Sequence, residues 1–338
     1  MPPRRGGEDV ASMKIQTKVP GMSLYPGTGR HWWEQVTAPQ VQALARETER
    51  LGFDVVAVPD HLVMDSGSAP ELGAHWVHSL CAAGVLVGAT STITVVPLVV
   101  VPYHHPVELA KALSTLDFLS GGRVVPQLLV GYNAKEFEVL GADHARRGAV
   151  TDEYLDAALE LLYADAPAFA GPTVRFDEIV FAPRPSRPLT LWFGGRTRAA
   201  LRRIARHGDG WIAYATPRKD FRALCDYIRE QPAFLERPRP LELSIELFEG
   251  HRDPITHRVV QQAAISLEPD AILHEIDELA AMGATLVDVS DVLGMGKFQN
   301  GRPDAPPPTR SFADQIERLQ WFAAEILPEA KQITPAVS

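Results

Sequence analysis

The sequence has few cysteines and no excess of positive charge. Its two cysteines, Cys81 and Cys225, lie far apart among 338 residues and do not form the closely spaced pairs that ligate zinc. We therefore expect buried thiols, no metal site and a cytoplasmic location. Asp and Glu together number 42 against 33 Lys and Arg, which gives a net charge of -9. This balance excludes the basic surface that binding to nucleic acid or to an anionic membrane requires.

Signals for export and for membrane insertion are also missing. Residues 1–12 are polar and rich in Gly and Pro, without the apolar core of a signal peptide, and we expect them to form a disordered leader. No charged side chain occurs between Glu71 and Glu108, yet Gly84 and Pro97 interrupt this apolar stretch. A membrane span needs roughly 20 helix-compatible apolar residues. The stretch therefore predicts a buried helix and a buried strand of a soluble protein.

What the sequence does contain is a repeated alternation of apolar strands and amphipathic helices. The segment Val55–Val58 is wholly apolar, as in a strand covered on both faces, and a segment with helical apolar spacing precedes it. We count eight such strands, and no G-x-G-x-x-G motif follows the early ones, which disfavours a Rossmann fold. The pattern predicts an α/β protein with a single (β/α)8 TIM barrel over residues 13–330 and a tail at 331–338.

Two segments depart from the regular alternation and are expected to form insertions. After the fourth strand, placed at 124–130, a polar loop leads to a predicted helix at about 152–163 and a hairpin around 174–181. Before the predicted helix at 270–282, about twenty residues show no periodic pattern and are expected to form a loop.

The stretch 191–211 combines an apolar strand, a diglycine turn and a short helix. Gly194 and Gly195 allow backbone N–H groups to approach a ligand, and Thr197 can cap the following helix, whose N-terminus suits a phosphate. Five arginines make the region basic: Arg196, Arg198, Arg202, Arg203 and Arg206. The stretch predicts an anion site, with a plain strand-to-helix turn and solvated arginines as the alternative.

Several longer segments together resemble one known family. They are L-G-F-D-V-V-A-V-P-D-H at 51–61, P-Y-H-H-P-V-E-L-A-K-A-L-S-T-L-D-F-L-S-G-G-R at 102–123, G-Y-N-A-K-E-F at 131–137, R-R-G-A-V-T-D-E-Y at 146–154 and the diglycine stretch. In this order they resemble the bacterial-luciferase-like flavin and deazaflavin enzymes, most closely the coenzyme F420-dependent branch. The resemblance implies a (β/α)8 barrel with the cofactor at the carboxyl ends of the strands.

The resemblance also implies which residues contact the cofactor. The diglycine turn would hold the phosphate through its four residues Gly194, Gly195, Arg196 and Thr197. The pair Asp60 and His61, after the second strand, would lie beside the deazaflavin ring.

On the third and fourth strands, the resemblance implies that Pro97, Leu98 and Gly131 line the cofactor. A backbone bulge, often a non-prolyl cis peptide, is expected at Pro97–Leu98. The fourth strand departs from the family pattern G-V-G-x-G, because Gln127 and Leu129 replace small residues. These larger side chains narrow or shift the space beside the ring, and they leave open which cofactor binds.

Two residues are candidates for proton transfer. His61 can act as a general acid, because a histidine titrates near neutral pH; the alternative is a structural pair with Asp60. Glu136 can accept or donate a proton near the substrate; the alternative is a solvated carboxylate at the start of a helix.

Three further residues are candidates for the substrate pocket. His31 and Trp32 lie in the first strand-to-helix loop, where they either form a pocket wall or pack ordinarily. His104 either reaches the pocket or has a role in the loop. His105 follows it on an extended segment and points to the opposite side, so the two do not easily share a metal.

The leading functional hypothesis is an F420-dependent oxidoreductase that transfers a hydride between the deazaflavin ring and a small organic substrate. The main alternative is an FMN-dependent luciferase-like monooxygenase, which takes reduced flavin from a separate reductase and activates oxygen. Two remote alternatives are a metal-dependent hydrolase, disfavoured because the first strand lacks an H-x-H pair, and a non-catalytic flavin-binding barrel. The resemblance also implies a homodimer.

Overall fold

A closed barrel of eight parallel strands forms the centre of the molecule. The computed structural model describes residues 12–24, 31–247, 250–252, 259–261, 267–295 and 308–336. The strands are β1 (Lys14–Lys18), β2 (Val55–Val58), β3 (Thr94–Val100), β4 (Gln127–Leu129), β5 (Phe169–Ala170), β6 (Arg175–Phe176), β7 (Trp192–Gly194), β8 (Gly210–Ile212), β9 (Glu242–Glu246), β10 (Gly250–Arg252), β11 (Val259–Gln261) and β12 (Leu286–Asp288). The barrel order is β1-β12-β9-β8-β7-β4-β3-β2, and the predicted (β/α)8 architecture is thereby confirmed.

Helices surround the barrel and connect its strands. They are α1 (Ala38–Arg50), α2 (Ala69–Leu72), α3 (Ser79–Ala89), α4 (Pro106–Ser120), α5 (Ala134–Leu140), α6 (Arg147–Tyr163), α7 (Arg198–His207), α8 (Arg218–Arg229), α9 (Pro232–Leu235), α10 (Pro269–Ala281), α11 (Phe312–Glu325) and α12 (Leu327–Ala330). None of these described helices is long and apolar enough to cross a membrane. Helix α4 shows how the sequence sets the boundaries: Pro106 occupies its first position, and Gly121 ends it in the left-handed conformation.

Alternation along the strands separates the interior of the barrel from the layer beneath the helices. Seven buried residues form the interior cluster: Val55, Ala57, Val96, Val125, Trp192, Ile212 and Leu286. Their neighbours, such as Val56 and Val58, belong to the larger cluster that packs against the helices. The register pairs Gln16 with Val55, Gln16 with Asp288 and Asp288 with Glu246, so these polar residues share the interior face. The interior therefore combines this apolar cluster with buried polar residues, and it carries charged groups at the carboxyl ends of β9 and β12.

The structure corrects several details of the sequence-based prediction. The hairpin after α6 is formed by β5 and β6, at 169–176 rather than 174–181, and the predicted loop before α10 contains the antiparallel pair β10 and β11. Helix α5 lies in the segment predicted as a polar loop, where a helix starting near Glu136 was the alternative. Cys225 is buried as expected, but Cys81 is exposed on α3.

The last described residues close the amino-terminal end of the barrel. The backbone N–H of Met13 donates to Ile333 O at 3.0 Å, and that of Ala336 donates to Ala280 O at 2.9 Å. Lys331 contacts Asp54 through an Nζ–Oδ1 distance of 2.5 Å. Residues 331–336, which the sequence assigned to a tail, therefore attach to the barrel. The predicted leader, apart from its last residue, lies outside the described residues.

Candidate active site

The first polar group at the carboxyl end of the barrel, here called the His61 network, consists of His61, Glu136, Tyr103 and Tyr132. His61 follows β2, and Glu136 lies on α5 after β4. The Nδ1 atom of His61 lies 2.9 Å from Glu136 Oε2, and the backbone N–H of Leu62 donates to Glu136 Oε1 at 2.8 Å. Glu136 is only 1% exposed, so these contacts take the place of water. The carboxylate acceptor favours the tautomer in which Nδ1 carries the proton.

The two tyrosines of the His61 network complete its hydrogen bonding. The Tyr103 hydroxyl donates to Glu136 Oε2 at 3.0 Å, and the Tyr132 hydroxyl lies 3.2 Å from His61 Nε2. Burial, followed by the Glu136 charge, raises the pKa of Tyr103 far above its ordinary value, so this hydroxyl stays a donor. Trp76 packs edge-on against the His61 ring with centroids 4.6 Å apart. Glu136 thus fixes one side of the imidazole and leaves Nε2 on the side of Tyr132, which is 51% exposed.

Asp60 does not form the pair with His61 that was considered from the sequence. Its Oδ1 accepts from the backbone N–H of Ser79 at 3.3 Å, at the start of α3, while Glu136 binds His61. Asp60 Oδ2 is buried and has no hydrogen-bond partner among the described residues. Burial raises the pKa of Asp60, against the opposing effect of the Ser79 N–H. The carboxyl is thus a buried group with one unused acceptor.

The predicted pocket residues differ in their surroundings. Burial, with a smaller contribution from His78, lowers the pKa of His104 to about 4, so its ring is neutral at physiological pH. Trp32 is tied to another segment, because its Nε1–H donates to Thr309 O at 2.9 Å. His31 begins a 3-10 helix at His31–Gln35, and its side chain lies outside the described residues. Over the described part of the chain, no three His, Cys, Asp or Glu residues come together as a metal site.

The diglycine turn has the predicted local geometry. Gly195 has a φ of +102°, which favours glycine, and Thr197 accepts from the backbone N–H of Ala200 at 3.2 Å as the N-cap of α7. Residues 195–199 are exposed. Two contacts hold the turn against the loop and strand that follow: Trp211 Nε1–H donates to Gly195 O at 2.9 Å, and Arg196 Nη1 donates to Ala215 O at 3.1 Å. The N-terminus of α7 is therefore open to a ligand.

The arginines after the turn do not form one basic cluster. Arg203 is 6% exposed and binds Asp152 on α6 at 2.6 Å, and Arg206 reaches Asp156 at 3.2 Å. Arg198 lies over the Tyr227 ring, and Arg202 donates to the Tyr227 hydroxyl. The expected basic site thus reduces to Arg196 at the turn, since a helix rotates successive residues by about 100° and spreads these side chains around α7.

Gly194 and Gly131 lie close against larger side chains, which a Cβ atom at either position would overlap. A Cβ atom on Gly194 would lie 2.5 Å from Leu129 Cδ2 and 3.3 Å from Gln127 Nε2. A Cβ on Gly131, whose φ is +82°, would lie 2.7 Å from Val100 Cγ1. Leu129 therefore packs on the bare backbone of Gly194, and the structure gives both glycines a packing role beside the predicted cofactor role.

The bulge expected at Pro97–Leu98 is absent. Strand β3 pairs Val58 with Pro97 on one side and Leu98 with Gln127 on the other, with a constant register along both partners. Within the described residues the cis peptide lies at Ala182–Pro183, not on β3. A bulge inserts one extra residue into a strand and would shift this register. The expectation of a bulge or a cis peptide is therefore wrong for this chain.

A second polar group, here called the Glu246 group, lies inside the barrel mouth and was missed by the sequence analysis. It consists of Lys18, Glu246 and Asp288, the last residues of β1, β9 and β12. Asp288 Oδ2 accepts from Gln16 Nε2 at 3.0 Å and lies 3.5 Å from Lys18 Nζ. Burial favours the neutral acid, but Lys18 and hydrogen bonds from Ser290 and Gln16 outweigh it and lower the pKa of Asp288. Strand alternation, counted from the apolar interior residues, is the signal that would have found this group.

Comparison with known proteins identifies the family of this barrel. The family model described as luciferase-like monooxygenase matches residues 12–248. The chain belongs to the luciferase-like monooxygenase family. The predicted resemblance is thereby confirmed, and the chain is an oxidoreductase of this flavin- and F420-dependent family.

Proteins similar to this luciferase-like chain include an FMNH2-dependent enzyme by sequence and an F420-dependent enzyme by fold. An uncharacterised protein of Mycobacterium tuberculosis is 32% identical over 191 residues, which cover 52% of this chain and 67% of the relative. An FMNH2-dependent dimethylsulfone monooxygenase of Pseudomonas putida is 27% identical over 301 residues, 87% of this chain and 77% of that one. The coenzyme F420-dependent tetrahydromethanopterin reductase of Methanopyrus kandleri has the same fold, with a TM-score of 0.67, 16% identity and coverage of 95% and 100%. A monooxygenase of Streptomyces bottropensis gives a TM-score of 0.70 at 18% identity, with coverage of 94% and 99%.

Proposed function

We propose that this luciferase-like enzyme is an F420-dependent oxidoreductase that transfers a hydride between the deazaflavin ring and a small organic substrate. The observation that carries the proposal is the His61 network, which holds a histidine at the barrel mouth with its tautomer fixed by a buried carboxylate. Hydride transfer to or from an oxygen-bearing carbon requires a proton at that oxygen. An imidazole that is held by a carboxylate at Nδ1 and presents Nε2 suits that task.

The residues of the diglycine turn fit the phosphate of such a cofactor. The exposed N-terminus of α7, the φ of Gly195 and the side chain of Arg196 provide backbone donors and one positive charge. Asp60 Oδ2, buried without a hydrogen bond from the described residues, is an acceptor for a donor group on a bound ligand. We therefore assign the phosphate to Gly194–Thr197, and the ring to the space bordered by Asp60, His61 and β4.

Each residue of the His61 network has a defined task in this proposal. The bound deazaflavin supplies the hydride chemistry. Glu136 accepts a hydrogen bond from the Nδ1–H of His61 and so presents Nε2 as the atom that exchanges a proton with the substrate oxygen. Tyr103 holds Glu136 in place through a hydrogen bond that burial keeps from exchanging with water. Trp76 restricts rotation of the imidazole by packing against its ring.

A second candidate is an FMN-dependent monooxygenase that receives reduced flavin from a separate reductase. The observation that favours it is the similarity to the dimethylsulfone monooxygenase, which extends over 87% of this chain. The phosphate turn would serve FMN equally well, because a helix N-terminus does not distinguish the two phosphates. In both proposals the substrate is a small molecule. We also propose a homodimer, which light scattering of the purified protein tests directly.

Titration with F420 and with FMN, followed by quenching of tryptophan fluorescence, tests the choice of cofactor. We expect micromolar binding of F420 and binding of FMN that is at least about tenfold weaker, a difference of about 1.4 kcal/mol. The reverse order would support the monooxygenase. Failure of both cofactors to bind would overturn both candidates, and would mean that Leu129 closes the site.

The variant His61→Asn tests the role of Nε2, because Asn retains a donor for Glu136 and lacks a group at the position of Nε2. With a substrate found by screening, we expect hydride transfer to slow by about 100-fold, a loss much larger than any change in cofactor affinity. His75→Asn is the matched control, since His75 is exposed and contacts Gly21 O. Equal rates in His61→Asn and the wild type would remove His61 from the mechanism.

A further inference from the structure

The peptide groups of Ala215 connect the Glu246 group to the diglycine turn. The Ala215 N–H donates to Glu246 Oε2 at 3.0 Å, and the Ala215 carbonyl accepts from Arg196 Nη1 at 3.1 Å. Glu246 ends β9 inside the barrel, whereas Arg196 belongs to the turn after β7. One residue of the loop after β8 thus bridges a carboxylate in the barrel mouth and the arginine beside the proposed phosphate site.

The conformation of Ala215 indicates that these two hydrogen bonds hold it in place. Its φ is +50°, in the left-handed region that residues with a Cβ rarely adopt, and the residue is 3% exposed. Such a conformation has a free-energy cost and persists where the surroundings stabilise it. Glu246 on the N–H side and Arg196 on the carbonyl side provide this stabilisation. Loss of either contact favours relaxation of the loop.

Trp211 ties the same turn to β8 at a second point. Its Nε1–H donates to Gly195 O at 2.9 Å, and its ring is fully buried, stacked on Phe221 with centroids 5.4 Å apart. The indole N–H is therefore a built-in reporter of the diglycine turn. It responds to movement of Gly195 without any added label or ligand.

The charged groups that face Glu246 come from β1 and from the end of β12. They are Lys18, Asp288 and Asp291. Burial raises the pKa of Glu246 to about 7; the Ala215 N–H and Lys18 oppose this effect, and Asp291 and Asp288 add to it. The carboxyl therefore changes charge near neutral pH. An ionised carboxylate accepts a stronger hydrogen bond from the Ala215 N–H than a neutral acid does.

We propose that Glu246 is a positioning residue that sets the conformation of the diglycine turn through Ala215 and Arg196, and thereby the affinity of the turn for the cofactor phosphate. The part that concerns the phosphate rests on the proposed function. The part that concerns the turn stands on the hydrogen bonds alone. Ionised Glu246 holds Arg196 beside the N-terminus of α7, and neutral Glu246 releases it.

The turn is tested first in the protein without cofactor, by following the 15N–1H indole resonance of Trp211 against pH. We expect this resonance to titrate with a midpoint of about 7 in the wild type and to lose that titration in Glu246→Gln. Glu242→Gln is the matched control, because Glu242 lies on the same strand at the opposite end of the barrel, where it pairs with Lys14. It should titrate as the wild type does. An indole resonance that titrates equally in Glu246→Gln and the wild type overturns the proposal.

The consequence for binding is tested with FMN and F420 at about pH 6 and about pH 8. We expect the wild type to bind the preferred cofactor about fivefold more tightly at the higher pH, and Glu246→Gln to lose that difference. Arg196→Met, which changes an exposed side chain at the other end of the bridge, should lose it as well. Binding that is equally pH-dependent in all three proteins overturns the link to affinity. Absence of any binding would refute the proposed function, while the indole titration would still decide whether Glu246 positions the turn.

Discussion

The barrel mouth carries two polar groups that are built in different ways. The His61 network is assembled from segments outside the strands, after β2, β3 and β4, and its central carboxylate is 1% exposed. The Glu246 group is formed by the last residues of three adjacent strands, with Asp288 and Lys18 partly open to solvent. Loops place a side chain through their own contacts, whereas strands place it through register. The first group thus depends on the packing around α5, and the second on the barrel itself.

The largest expected effect comes from disturbing the packing that supports α5. In Gly131→Ala, the new Cβ would lie 2.7 Å from Val100 Cγ1 and 2.9 Å from Phe137 Cε2, at a φ of +82°. We expect the free energy of unfolding to fall by about 3 kcal/mol. Gly141→Ala is the control, because its φ is +68° and no atom lies within 4 Å of the added Cβ. It should lose only about 1 kcal/mol. Equal losses in urea denaturation would show that packing at Gly131 has no part in the effect.

The next effect is a pH dependence of the free energy of unfolding that arises from Glu246. The pKa of Glu246 is raised to about 7 in the folded protein, so the unfolded chain loses this proton first as pH rises. The folded state is therefore destabilised progressively between about pH 4.3, the ordinary value for Glu, and about pH 7. Glu246→Gln removes this loss. We therefore expect its free energy of unfolding, relative to that of the wild type, to rise by about 1 to 2 kcal/mol from pH 5 to pH 8. Denaturation at the two pH values measures the gain, and a constant difference would contradict it.

Asp288 should show the opposite dependence within the same group. Its pKa is lowered in the folded protein, so its ionised form stabilises the fold above the ordinary value of about 3.9. That stabilisation disappears as the pH falls through the lower, folded value. We expect Asp288→Asn to lose about 1 kcal/mol at neutral pH and less in acid. A loss that grows in acid would mean that Lys18 and Gln16 do not stabilise the charge.

A comparison of reaction rates separates the inner and outer tyrosines of the His61 network. Tyr103→Phe removes a hydrogen bond to the buried Glu136 carboxylate, and we expect hydride transfer to slow by about tenfold. Tyr132→Phe removes the contact at 3.2 Å from His61 Nε2 on an exposed ring, and we expect less than about a threefold change. Single-turnover rates provide the comparison. A larger effect at Tyr132 than at Tyr103 would contradict the assignment of Glu136 as the group that orients the imidazole.

The sequence was sufficient for the fold because apolar runs such as Val55–Val58 are required in a barrel covered on both faces. Local rules also predicted the helix cap at Thr197, which the structure confirms. The burial of Glu136 could not be derived, because it arises where α5 packs under residues far away in sequence, Tyr103 and His61. Glu246 was overlooked since a single charged residue in a strand indicates an interior site only once the register is known.

The arginines illustrate the same limit. Their high density after Gly195 predicted a common site, but Arg203 is buried against Asp152 on α6 and Arg206 faces Asp156. Composition counts charges along the chain, while a helix distributes them by angle. Two of these arginines therefore form ion pairs with α6 and do not contribute to a common site.

The side chain of Leu129 fills the space that a side chain at position 194 would need, since a Cβ there would lie 2.5 Å from the leucine side chain. An amino-acid change at one of these positions thus determines which residues the other tolerates. We expect Gly194→Ala alone to destabilise the fold. The same change combined with Leu129→Gly restores the space and returns the fourth strand toward the family pattern. Side-chain volume can therefore be transferred by mutation from position 129 to position 194, which changes the side of the barrel mouth that the larger residue occupies.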